Sequence, residues 1–516
     1  MVSSKPTFAA VFLVLPCILL SPVCAFQTSY QTFRNSDNQS PGVVWNISDS
    51  QVHSVVNSPT QVDLIEGNDQ FTEPPILDGQ SWNSIDMDDS KFENSPYESP
   101  NGNRPSNDVT SGNLPSWLSE VKAGYERGFV ISSKKSNELN ADGDPFLMRL
   151  NGWGQLRHLI FDSRNSNLDQ NQFQLKRARL IFSGHAFTND FRYFVQIDGR
   201  SSSGDDIRLL DYFLSFDIGH HQFGLEKGRL GFRTGRWKMP FTMARFLSGQ
   251  EFEFTDRSVA STFFDVNRSL AWGLYGSSRL ASRPLDWEAA IFNGLVTGGA
   301  ETGSSGTLDN NFAYSGRILW YPTGSWGKGE LADFDYHRCL ATRIGAGFAN
   351  TTIDRLGTTE FGRIRVVDSG QRLKTLLPDA TEFDVNLWTV SSSFKYRGWS
   401  MSMEYYFRLL NQFEGVAQDE LFDHGHWLQV GKFVIPGKFQ LLFRWSRVVG
   451  DSGTLGLTDQ SSDERSGGFA WYFRDQHAKV VFDATYLDGA PISSSALDVQ
   501  PGDTGWLIRT QLQFAF

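Results

Sequence analysis

The 516-residue chain carries a formal net charge of -11, and hydrophobic residues make up 40% of it. After the first twenty residues no run of about 18 apolar residues occurs, which excludes a transmembrane helix. A transmembrane barrel stays open, because its wall is half polar by residue count and its mean hydropathy resembles that of a soluble protein. Aromatics reach 14% and there are 48 Gly, a pairing that suits strands, tight turns and interfacial girdles.

Residues 1–25 read as a secretory signal. Lys5 supplies the positive start, Phe8 to Leu20 the apolar core, and Val23-Cys24-Ala25 the small residues before a cut at Phe26. Pro22 and Val23 disfavour lipid attachment at Cys24. Removal of the signal takes Cys17 and Cys24 with it. Cys339 is then alone, and neither a disulfide nor a thiolate metal cluster is expected.

Residues 26–115 form a Ser, Asn, Asp, Pro and Gln-rich stretch with few periodic apolar positions. From Met1 to Pro115 there are four basic and thirteen acidic residues, a net of -9, which leaves -2 for the rest of the chain. Such a composition cannot build a core, so the segment is expected to be a disordered spacer, or alternatively a periplasmic tether or partner-binding arm. Pro115 suits a first helical turn, so a short helix is expected over Ser116–Glu126, inside a connecting segment 116–145.

From Phe146 the pattern changes to strands divided by polar turns. Phe191, Tyr193, Val195 and Ile197 alternate with polar neighbours, as do Trp399 to Phe407, Phe439 to Trp445 and Ala478 to Tyr486. Each apolar face is about five positions long, which fits a membrane strand of roughly 9–11 residues. The expected spans are 147–162, 171–187, 190–200, 207–218, 222–238, 269–280, 285–296, 311–321, 341–351, 381–395, 398–411, 425–435, 437–449, 467–474, 477–488 and 505–516. Short joins such as Arg397-Gly398 alternate with longer ones. The polar faces carry Arg192, Arg317, Arg408, Arg444 and Arg509, which in a wide membrane barrel would line the lumen. The chain ends on G-W-L-I-R-T-Q-L-Q-F-A-F, in which Trp506, Ile508, Leu512, Phe514 and Phe516 share one side. A last strand that must close a barrel and set an aromatic ring at the lipid boundary reads this way.

One connection is too long and too basic for a simple turn. Glu226 to Arg268 holds eight Lys and Arg against five acidic residues. Its centre reads G-R-W-K-M-P-F from Gly235, then E-F-E-F-T-D-R-S from Glu251. Pro240 ends the strand ladder, so the chain must leave the wall there. These stretches, with Lys176-Arg177-Ala178-Arg179 and the Arg268 to Gly273 spacing, resemble the phosphate-selective porin O and P family over Phe146 to Phe516. The resemblance implies a trimeric sixteen-stranded porin whose third external loop folds inward and presents cations to passing anions. Among the family's basic positions only Lys238 is matched by motif.

The expectation is therefore an all-β protein, a transmembrane antiparallel β-barrel of about sixteen strands over 146–516, exported to the outer membrane. It would pass small anionic or neutral solutes, with Arg236, Lys238, Arg245, Arg257 and Arg268 at the constriction. Alternatives are a general or carbohydrate-admitting porin, a barrel-embedded enzyme or a secreted β-rich binding protein. No nucleophile–base signature, cofactor motif or nucleic-acid partner is expected; outer-membrane lipid and further copies in a homotrimer are. His220-His221, read as adjacent strand residues, point to opposite faces and would not share a metal.

Overall fold

The computed structural model describes residues 121–125, 128–133, 146–164, 169–200, 206–297, 309–354, 360–367, 371–450, 461–489 and 504–516. The signal and acidic segment expected over 1–115 lie outside these residues.

Two short strands come first, β1 (Val121–Tyr125) and β2 (Phe129–Ser133). They are followed by β3 (Phe146–Ser163), β4 (Gln170–Ala186), β5 (Thr188–Arg200), β6 (Asp206–Phe216), β7 (Gly231–Lys238), β8 (Arg268–Leu280), β9 (Arg283–Asn293) and β10 (Phe312–Trp320). Then come β11 (Ala341–Asp354), β12 (Glu382–Tyr396), β13 (Trp399–Glu414), β14 (Glu420–Ile435), β15 (Phe439–Val449), β16 (Ser461–Arg474), β17 (Ala478–Asp488) and β18 (Gly505–Ala515). From β3 onward each strand pairs antiparallel with the next, and β18 pairs back onto β3 from Gly505↔Ser163 to Ala515↔Trp153. The result is a closed sixteen-stranded barrel. Closure removes every strand edge from the wall, which the apolar membrane interior requires.

Alternation does what the pattern predicts. On β18, Trp506, Leu512 and Phe514 are exposed on the outside, while Arg509, Gln511 and Gln513 are buried within. Exposed aromatics form two belts. Trp399, Trp471, Phe473 and Phe514 mark the end with short turns, and Trp506, Phe312 and Tyr314 mark the other. Short turns lie on the periplasmic side of such barrels and long loops outside, which orients the molecule.

All sixteen expected spans fall on observed strands, and three of them begin well away from the expected residue. The stretch 222–238 shortens to β7, because Asp217 caps a helix α1 (Ile218–Phe223) by accepting from the His220 amide, and Gly224 at φ 63° ends it. Local cap signals override the alternating pattern there. β14 and β16 begin earlier than expected, at Glu420 and Ser461.

One other expectation is corrected. The helix over Ser116–Glu126 is not found at Val121–Tyr125, which forms β1; its residues pair with β2 from Val121↔Ser133 to Tyr125↔Phe129, and sheet pairing overrides the Pro115 signal. β2 in turn pairs with β3 at Leu147–Leu150, just beyond the point where β18 ends.

Candidate functional site

β7 ends at Lys238, and the next 29 residues fold into the barrel before β8 begins. Pro240 cannot continue the ladder, and Thr242 and Ser258 cap two short helices, α2 (Met243–Phe246) and α3 (Val259–Phe264), by accepting from the amides of Arg245 and Ser261. Nearly all of this segment, 239–267, is buried.

The wall holds it through its backbone. Glu404 accepts from the amides of Met243 (2.7 Å) and Ala244 (3.0 Å), Glu464 from Val259 (2.6 Å), Asp483 from Thr255 (3.1 Å) and Ser446 from Ala260 (3.0 Å). Lys479 donates to the carbonyls of Gln250 (2.8 Å) and Phe252 (2.6 Å). Gly347 makes room for the chain: a Cβ there would stand 2.1 Å from the Phe241 carbonyl oxygen. Sequence reasoning placed Glu404 and Asp483 on polar strand faces without a partner. Their inward period was visible, but their role was not, because the partners lie 161 and 228 residues away.

Asp256 is the charge centre of the segment. It accepts from Arg157 (2.7 Å) and Arg177 (2.6 Å), with Lys176 at 3.8 Å. Burial alone would raise its carboxyl, but Arg157, Arg177, Lys176 and Arg509 hold it well below the usual carboxylate range. On the same segment burial pushes Glu251 up to about 7, against the pull of Lys479.

The expected constriction residues divide. Lys238 is buried and donates to the carbonyls of Phe246 (3.1 Å) and Leu247 (2.8 Å). Arg257 is partly exposed and donates to the carbonyls of Ala244, Arg245 and Leu247. Arg245 is buried on α2. Arg268 makes a two-pronged bond to Asp211, at 2.7 and 3.0 Å. Arg236 pairs in the ladder with Tyr212 and Leu270, hydrogen-bonds the Tyr212 side chain and lies within electrostatic range of Arg268 and Asp211.

Of the arginines expected on the lumen side, Arg317, Arg408, Arg444 and Arg509 are buried and meet a carboxylate. Arg408 bonds Asp423, Arg444 bonds Glu464 (2.8 Å), Arg509 bonds Asp483 (2.8 Å), and Arg317 lies 3.6 Å from Glu288. Arg192 donates to the Asn189 carbonyl (3.2 Å). Two further arginines share one carboxylate higher on the wall: Arg179 (3.1 Å) and Arg208 (2.9 Å) both bond Asp198. His220 and His221 also depart from expectation. They sit on α1, and both rings approach Asp190, at 2.8 and 3.4 Å. Among the described residues no cluster of three metal-ligating side chains occurs.

A second segment, 321–340, enters from the periplasmic end, where the other turns are short. It meets the first: Leu331 is buried with Leu247 and Phe252, and the Glu330 amide lies 3.4 Å from a Glu251 carboxylate oxygen. A cavity of about 30 Å³ remains between them, bordered by Arg257, Leu331, Gln429 and Arg444.

A closed barrel with charged residues inside, aromatic belts outside and an inserted basic loop is the architecture of a pore. The family model for phosphate-selective porin O and P matches residues 158–516. The chain belongs to the phosphate-selective porin O and P family. It is a porin of the outer membrane, a channel for passive diffusion and not an enzyme. Among solved structures, the chain is similar to an anion-selective porin from Comamonas acidovorans, at 9% identity and a TM-score of 0.47, covering 72% of this chain and 99% of that one. It is also similar to OprB of Pseudomonas putida (12%, 0.42, covering 71% and 93%) and to the trimer form of OmpT from Vibrio cholerae (11%, 0.43, covering 72% and 99%). No curated protein matches the chain. The assignment of this porin rests on the family match.

Proposed function

We propose that the channel favours anions, phosphate-like ones among them, through cations gathered where the inserted loop meets β4 to β8. One observation carries this reading: carboxylates there are outnumbered. Asp198 serves two arginines, and Asp256 serves Arg157, Arg177 and Lys176. Lys238 and Arg257 add charge while bonding only to carbonyls among their described hydrogen bonds. Burial, reinforced by Arg245 and Arg177, pulls Arg257 well below the usual arginine range. Arg208, Arg179 and Arg257 keep partial exposure, so they are the cations a solute can reach.

The size of the effect is moderate. A cation about 6 Å from a passing anion, at an effective dielectric near 20, contributes roughly 3 kcal/mol before screening. Several such groups attract anions without trapping them. Arginine can grip two phosphate oxygens at once. Lys238, Arg245 and Arg268 act in this reading through the field they add, and the channel works as a homotrimer in outer-membrane lipid, as the family resemblance implies.

The test is the reversal potential across planar bilayers in asymmetric salt, for the wild type and for Arg179→Gln with Arg208→Gln. The wild type is expected to favour anions and the double variant to move toward cations. A cation-favouring wild type, or an unmoved potential in the variant, overturns the reading.

A further inference from the structure

Segment 321–340 is too well held to be a slack turn. It leaves the wall at Trp320 and returns at Ala341, yet it reaches far around the barrel in between. The Asp333 carboxylate accepts from the Gly398 amide (2.7 Å) in the β12–β13 turn, and the Arg397 amide donates to the His337 carbonyl (2.8 Å). The Phe334 ring packs against Phe433 of β14 (5.3 Å) and Tyr472 of β16 (5.0 Å). The segment thus crosses the periplasmic floor of the lumen and rises to touch the inserted loop at Leu331 and Glu330.

One wall lysine gathers its free carbonyls. Lys395 on β12 is fully buried, and its ammonium donates to the carbonyls of Trp326 (3.3 Å), Lys328 (3.0 Å) and Gly329. The same ammonium lies 4.4 Å from the Trp326 ring. The Arg343 guanidinium lies 4.5 Å from that ring and pairs with Glu330. An irregular chain with unpaired carbonyls can remain inside a barrel only if something donates to them. An ammonium has three donors, and here three carbonyls meet it.

We propose that segment 321–340 is a second constriction of the channel, on the periplasmic side of the inserted loop, and that Lys395 is its positioning residue. Solutes then pass two narrowings in series: an upper one rich in cations and a lower one that limits size. The proposal rests on the channel assignment but not on anion preference.

The experiment uses the full-length protein in planar bilayers, with neutral polyethylene glycols of graded size as probes. For Lys395→Met, conductance is expected to rise by about twofold or more and larger polymers to enter, because a widened neck conducts more. The reversal potential should stay unchanged, since the Asp198 and Asp256 clusters are untouched. A folded variant with unaltered conductance and size limit overturns the proposal. The second variant, Lys328→Cys made in a Cys339→Ser background, changes an exposed side chain and leaves the Lys395 anchor in place. A bulky thiol reagent added from the periplasmic side should then cut the conductance; a modified channel that conducts as before also overturns it. Failure of anion preference alone would show in the reversal potential of the wild type, and would leave both of these readouts standing.

Discussion

Asp256 shows how one side chain organises the lumen. Its carboxylate is fully buried and meets three cations, and its own carbonyl accepts from Arg444 at 2.7 Å. Replacing Asp256 with Asn keeps the shape and removes the charge, so Arg157 and Arg177 would lose the carboxylate they share. Breaking a buried pair in this way typically costs about 3–5 kcal/mol. The temperature at which the folded species disappears in a heat-mobility gel should fall clearly. An unchanged temperature would mean that the arginines find other acceptors. At this scale the sequence was partly legible. The inward arginines could be counted from the period of two, because strand geometry assigns each residue a side. Their partners could not. Arg509 finds Asp483 on the next strand, but Asp256 finds Arg157 and Arg177 from 99 and 79 residues away, and no local pattern encodes such a meeting.

The seam between β18 and β3 is where an element, rather than a residue, carries the stability. The Phe516 amide donates to the Gly152 carbonyl (2.9 Å), and the Gly152 amide donates to the Phe516 carbonyl (3.2 Å). The Phe516 ring lies over Gly152 and meets Phe129 of β2 edge-on at 6.3 Å. Changing Phe516 to Ser is expected to reduce the amount of barrel assembled in the outer membrane, while pores that do assemble conduct normally. Wild-type levels of folded variant, measured by gel mobility in membrane fractions, would count against this. The strands themselves were legible because a wall between lipid and a polar lumen demands strict alternation. The inserted segments were less so. Pro240 announced a departure from the wall, but nothing in the composition of 321–340 announced a second one. β1 escaped notice because five residues of mixed character become a strand only when Phe129–Ser133 offers an edge.

For the whole molecule, the barrel closes from β3 to β18, and the two strands that extend its sheet, β1 and β2, begin only at Val121. We therefore expect that deleting residues 26–115, with the signal kept, yields a heat-modifiable, protease-resistant barrel in the outer membrane. Loss of insertion after clean export would assign the acidic segment a part in assembly.

The bonds that seat the inserted loop also bear on the order in which the protein is made. Thr255 waits for Asp483, 228 residues later, and Gln250 waits for Gln513, 263 residues later. Contacts so distant in sequence form slowly, because the intervening chain must be placed first. The loop emerges early, yet its seat is complete only when the last strand arrives. Until β13, β16 and β17 bring Glu404, Glu464 and Asp483, its amides lack these acceptors, and a half-built sheet would present them to the bilayer. The lumen therefore cannot be filled in the order of synthesis, and closure of the seam and docking of the loop must be nearly one event.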